Sequence, residues 1–130
     1  MGVAEELDAL RAELSGCHLV AYADLQSRLV LCASSAGNPA QEELDALSRA
    51  ANLALDGNVA EGAKPLWAAD TGNAPASSAM LMTGQEVRMF LRSPGNAPEA
   101  LIVVAEAGAD MAILQDRAGQ ALGRIAALEG

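Results

Sequence analysis

The chain has 130 residues, enough for one domain that buries roughly two thirds of the surface its unfolded form exposes. It is 52% hydrophobic yet holds a single Trp, Tyr and Phe, which argues against disorder and leaves the core to Leu, Val, Ile, Met and Ala. Seventeen acidic against eight basic residues give a formal net charge of -9, which opposes binding to nucleic acid and to an anionic membrane surface.

No apolar run approaches the ~20 residues that a membrane span requires. Met1, Gly2 and Val3 open an acidic, helix-like segment instead of a basic one followed by an apolar stretch, so no signal peptide is expected. Glu6 stands where a myristoylation signal wants Ser or Thr. The expectation is a soluble, cytoplasmic domain. Small core side chains bury little area each, which favours packing against a second copy.

Val3, Leu7, Leu10 and Leu14 recur at helical spacing among acidic residues, and Gly16 ends that first helix. Two apolar runs, His18 to Tyr22 and Leu29 to Cys32, flank Asp24-Leu25-Gln26-Ser27 and read as a hairpin. They are apolar at nearly every position, as strands of a sheet covered on both faces are. Cys17 and Cys32 fall in this pair, offset by about two positions along the ladder, and are expected as free, buried thiols.

Asn38-Pro39-Ala40-Gln41 is a helix start: Asn caps, Pro is preorganised for the first turn, and Gln sits three residues after the cap. Leu44, Leu47, Ala51 and Leu55 follow on one side, and Glu42, Glu43, Asp45, Arg49, Asn52 and Asp56 lie on the other, with Gly57 as the stop. Residues 57 to 77 are rich in turn formers and are expected to form a long connection pinned by Trp67.

Ser78 to Thr83 and Glu86 to Arg92 flank Gly84-Gln85 as a second hairpin, and Ser93-Pro94-Gly95-Asn96 is a turn. Ala100 to Ala105 is the most strand-like run and is expected at the centre of the sheet. Met111, Leu114, Ala118, Ala121, Leu122, Ile125 and Leu128 trace one face of a last helix from about Ala109 to Leu128. Gly119 and Gly123 inside it each cost about 1 kcal/mol relative to Ala, which close packing against the first helix is expected to offset. The order is αββαβββα.

Catalytic signals are weak. His18 is the only histidine, which removes two-His metal motifs, and it is expected as a strand residue with a satisfied side chain. Gly57 to Lys64 resembles a phosphate loop superficially, but Ala63 separates Gly62 from Lys64 and Pro65 follows, and the segment comes after a helix. Glu5, Glu6, Asp8, Glu42, Glu43 and Asp45 sit on predicted exposed helix faces and read as a solvated acidic surface. Met80 and Met82 share one face of their strand, as core filler or as an adaptable protein surface. No catalytic residue, metal or cofactor is expected.

This order, with its wording, resembles the roadblock/dynein light chain family. The likeness is strongest in ALIVVAEAGADMAILQDRAGQALGRIAAL, where a strand enters the last helix through Gly108-Ala109-Asp110. HLVAYADLQSRLVLCAS is similar to the family's first hairpin, with Gln26-Ser27 where Asp-Gly is commoner, and EELDALSRAANLAL to its middle helix. Residues 57 to 77 depart from it, being longer and richer in Pro and Gly.

The resemblance implies an α+β fold with a five-stranded antiparallel sheet, the two terminal helices on one face and the middle helix on the other. It also implies a homodimer joined through the third strands and the middle helices. Here that interface would use Met80, Leu81 and Met82 with Leu44, Leu47 and Ala51. Glu42, Glu43, Asp45, Arg49 and Asn52 would form a partner surface. The function so implied is a non-enzymatic homodimeric module that binds or regulates a small Ras-like GTPase. A structural dimerisation scaffold in a larger signalling or motor complex and a small-ligand sensor are the alternatives.

Overall fold

The computed structural model describes residues 2–27, 29–35, 37, 41–55, 78–93 and 98–129. The expected helix start at Asn38-Pro39-Ala40, the stop at Gly57, the connection with Trp67, the phosphate-loop look-alike and the turn at Pro94-Gly95-Asn96 lie outside these residues.

The described elements are α1 (Val3–Glu13), β1 (Cys17–Asp24), β2 (Leu29–Ser35), α2 (Gln41–Leu55), β3 (Ser78–Met82), β4 (Glu86–Arg92), β5 (Glu99–Glu106) and α3 (Met111–Glu129). The strands form one antiparallel sheet in the order β2-β1-β5-β4-β3. This is the expected α+β architecture, and β5 lies at its centre.

Alternation along each strand splits the core into two layers. Val20 and Tyr22 of β1, Leu101 and Val103 of β5, and Met89 and Leu91 of β4 pack with α1 and α3. Leu19, Ala21 and Ala23, Ile102 and Val104, and Phe90 pack with Leu47, Ala51 and Leu55 of α2. Among the described residues each layer contains one large aromatic side chain, Tyr22 or Phe90, both 1% exposed.

Local chemistry sets the turns. Gly16 follows α1 with φ +78, and a Cβ there would come within 2.6 Å of the Glu106 side chain, so the tight entry to β1 requires glycine. Asp24 Oδ1 accepts from the backbone N–H of Gln26 at 2.8 Å and Ser27 at 3.2 Å, closing the first hairpin's turn. Asp110 Oδ1 accepts from Ala112 and Ile113 N–H at 3.0 and 3.2 Å, which caps α3.

Four expectations change. First, Tyr22 faces Cys32 and Leu19 faces Ser35, so the two thiols sit five positions apart along the ladder, not two. The hairpin connection and one extra residue in β2, Leu31, set that register. At ~3.3 Å per residue the separation forbids a disulfide, and both cysteines are free. Cys17 is half-buried, burial pushes its thiol pKa up, and its Sγ donates to Leu19 O at 3.6 Å, which makes it a poor nucleophile.

Second, β2 is covered only in part: Cys32 packs with the α1–α3 cluster and Val30 with the α2 cluster. It is an edge strand, and Leu29 and Leu31 are each 54% exposed. Third, Glu6 is buried, at 7% exposure, because α3 lies over it and Arg124 Nε donates to its Oε2 at 2.8 Å. Arg117 and Glu13 form a second bridge between the same helices at 3.0 Å.

Fourth, α1 does pack on α3, but Gly119 and Gly123 are not at the contact. Both are exposed with nothing within 4 Å of a Cβ, while Ala118, Ala121, Leu122 and Ile125 face the core. Their helical cost is therefore uncompensated by packing. The pair Gly119→Ala and Gly123→Ala is expected to stabilise the chain by about 1–2 kcal/mol in total. A urea midpoint that falls or stays put would contradict this placement.

Candidate functional site

Among the described residues no group of three or more His, Cys, Asp or Glu is placed to hold a metal ion. No described helix is long and apolar enough to cross a membrane. The features that stand out among the described residues are the two sheet edges, the outer side of α2 and a pocket.

β3 terminates the sheet. Its five residues pair with β4 without a register shift, from Ser78 opposite Leu91 to Met82 opposite Val87. Met80 lies opposite Met89, which places Met80 and Met82 on the α1–α3 side, and Leu81 lies opposite Arg88 on the α2 side. Met80, Leu81 and Met82 are 41%, 49% and 62% exposed, so the methionines are surface and not core filler.

The opposite edge differs. In β2 the ladder steps from Cys32 opposite Tyr22 to Val30 opposite Ala23, leaving Leu31 as an extra residue. Such a bulge twists an edge strand and spoils it as a template for another strand. Of the two apolar edges, β3 is the one with regular backbone geometry.

On α2 the expected interface residues go elsewhere. Leu47 and Ala51 are 3% and 0% exposed in the isolated chain, and Leu44 is half-buried against the same cluster. The 3.6-residue stripe that they form covers the chain's own sheet, so they offer little surface to a second copy. Leu53, 49% exposed, is the large apolar residue that α2 presents outward. The sequence reading missed it. The available signal was a leucine lying off the stripe of Leu44, Leu47, Ala51 and Leu55.

The expected partner surface is divided as well. Glu42, Glu43 and Arg49 are exposed. Asp45 Oδ1 accepts from Gln41 Nε2 at 3.0 Å within the helix, and Asn52 Nδ2 donates to Leu25 O at 2.9 Å. Asn52 thus ties α2 to the first hairpin's turn, and Arg92 Nη2 ties its carboxyl end to β4 by donating to Leu55 O at 2.9 Å. The acidic first turn, Glu42 and Glu43, suits the positive end of the helix dipole.

A half-open pocket of about 430 Å³ lies between the amino-terminal half of α2 and one end of the sheet. His18, expected as an ordinary strand residue, is at its rim. The ladder between β1 and β5 runs from Cys17 opposite Ala105 to Leu19 opposite Val104, so His18 is the extra residue of a bulge. Cys17 packs toward α1 and α3 while Leu19 faces α2, and the bulge carries His18 to the α2 side.

A sheet with two helices on one face, one on the other and β3 at an open edge defines an α+β fold, the roadblock/LC7 fold. Comparison with solved structures gives the same result. A roadblock/LC7 domain from Streptomyces avermitilis superposes with a TM-score of 0.74 at 11% identity, covering 96% of this chain and 95% of that one. The gliding protein mglB from Thermus thermophilus gives 0.68 at 23% identity, with 95% and 87% covered. A structure described as MglB with tetrameric arrangement gives 0.72 at 19% identity, with 95% and 85% covered. No family model matches the sequence, and no curated protein matches it.

Proposed function

We propose that the chain is a single-domain, non-enzymatic, homodimeric interaction module of the cytosol that binds or regulates a small Ras-like GTPase. The observation that carries it is the β3 edge: five regular residues with exposed Met80, Leu81 and Met82 in a roadblock fold. Joining two such edges would continue the sheet across the dimer and remove an aggregation hazard. The α2 contribution would come from its outward side, with Leu53, in place of Leu47 and Ala51. The family resemblance suggests the GTPase as partner, and the likeness to the MglB structures supports the roadblock fold on which that suggestion rests. Glu42, Glu43 and Arg49 are the exposed charged residues of α2 that such a partner would meet.

Pull-down with a GTPase encoded in the same genome tests the reading. Retention in at least one of the two nucleotide states is expected, and no binding in either state would overturn it. The self-association described for one structural neighbour also fits a scaffold that only bridges subunits. Retention of a neighbouring kinase or motor component without any GTPase would favour that second reading.

A further inference from the structure

The pocket beside α2 combines an apolar floor with unmatched negative charge. Ser35, Leu19, Val104 and Arg88 form one row across the sheet, and all four line it. Leu19 and Val104, each 6% exposed, are the least covered of the buried residues in the α2 layer, and Ala46 and Leu47 of the helix line the pocket with them.

At the rim, Nε and Nη2 of Arg88 lie 3.0 and 2.8 Å from the same oxygen of Glu86, Oε1. Arg88 and Glu86 thereby offset each other's charge, with Oε2 of Glu86 outside that pair of contacts. Glu43, on α2, makes no hydrogen bond or ion pair among the described residues. One positive and two negative side chains leave the lining net acidic, within a chain of net charge -9. An apolar floor beneath open carboxylate oxygens suits a long aliphatic stem that ends in a cation.

The geometry points to a socket for a lysine side chain of a partner protein. Its methylenes lie on Leu19, Leu47 and Val104, and its ammonium meets Glu43 and Glu86. An ammonium fits better than a guanidinium, since the two carboxylates stand on different elements and offer no single planar fork. The volume exceeds one lysine, so an apolar neighbour enters with it. The acidic surface would also speed the approach of a basic partner. This inference rests on reading the chain as a protein-binding module, though not on that partner being a GTPase.

The test is an NMR titration of the full chain with N-acetyl-lysyl-leucine amide, using the norleucyl and glutamyl analogues as controls. The lysyl probe is expected to shift the amides of His18, Leu19, Leu47 and Val104 with millimolar affinity. The norleucyl probe is expected to bind about two- to fivefold more weakly, the range of an exposed ion pair, and the glutamyl probe not at all. Glu43→Gln, a change at an exposed position, is expected to bring the lysyl probe down to the norleucyl affinity without altering the rest of the spectrum. Equal binding of lysyl and norleucyl probes, an unaffected Glu43→Gln variant, or shifts elsewhere would overturn the socket. Free 1-aminohexane binding far more tightly than the lysyl probe would also overturn it, in favour of a small-ligand site. A failed GTPase pull-down leaves this titration unchanged, so the two proposals fail separately.

Discussion

Phe90→Ala is expected to lower the unfolding free energy by about 3–5 kcal/mol, the largest effect of any single change considered. Phe90 is 1% exposed and is the large side chain at the centre of the α2 layer. Its sheet neighbours on that face are Ile102 and Ala79, and Ala21 follows in the same row. Above it, α2 contributes Leu47, Ala51 and Leu55. A layer with this much alanine has few long side chains able to swing into the space left by the ring, so the cavity persists and the cost falls at the upper end. Because total stability is typically only about 5–15 kcal/mol, the variant should be partly unfolded at modest urea concentrations. Urea unfolding at fixed protein concentration measures this. A loss below about 1 kcal/mol would show that α2 does not pack over Phe90.

The second large effect concerns association. In the proposed dimer, Met80→Lys or Met82→Lys is expected to raise the dissociation constant at least about tenfold, equivalent to 1.4 kcal/mol. Each change sets like charges close to one another across a two-fold joint and removes apolar area from it. Both residues are well exposed in the isolated chain, at 41% and 62%, so the protomer's own core is left intact. Leu31→Lys is the control. It is as exposed, at 54%, but lies at the bulge of the other edge, and the mass should not change. Sedimentation over a concentration series reads all three variants. A dimer that survives both methionine changes is not joined through β3, and one lost with Leu31→Lys is joined through β2.

The β3 edge of the candidate site was legible in the sequence because it depends on local pattern. Met80, Leu81 and Met82 read as an apolar strand beside a two-residue turn, and that strand is a sheet edge with all three residues exposed. The acidic first turn of α2 was equally plain. Glu6 was misjudged because its neighbours Glu5 and Asp8 are exposed, and only the course of α3 brings Arg124 over it. His18 and Leu31 were opaque for another reason. A bulge adds one residue to a strand and reverses the facing of everything beyond it, yet leaves no mark in apolar composition.

The roles of Leu47, Ala51, Gly119 and Gly123 divide along the same line. Periodicity by itself determined which residues share a face: Leu44, Leu47, Ala51 and Leu55 on α2, and Ala118, Ala121, Leu122 and Ile125 on α3. It also determined the order of elements and, through residues such as Gly16 and Asp24, where some of them end or turn. Only the tertiary structure decided what each face meets. The α2 stripe covers its own sheet, the two glycines of α3 face solvent, and the pocket opens where helix and sheet part. The physical reason is that hydrogen-bonded periodicity is set by neighbours along the chain, whereas burial is set by residues distant along it, whose arrival no local pattern encodes.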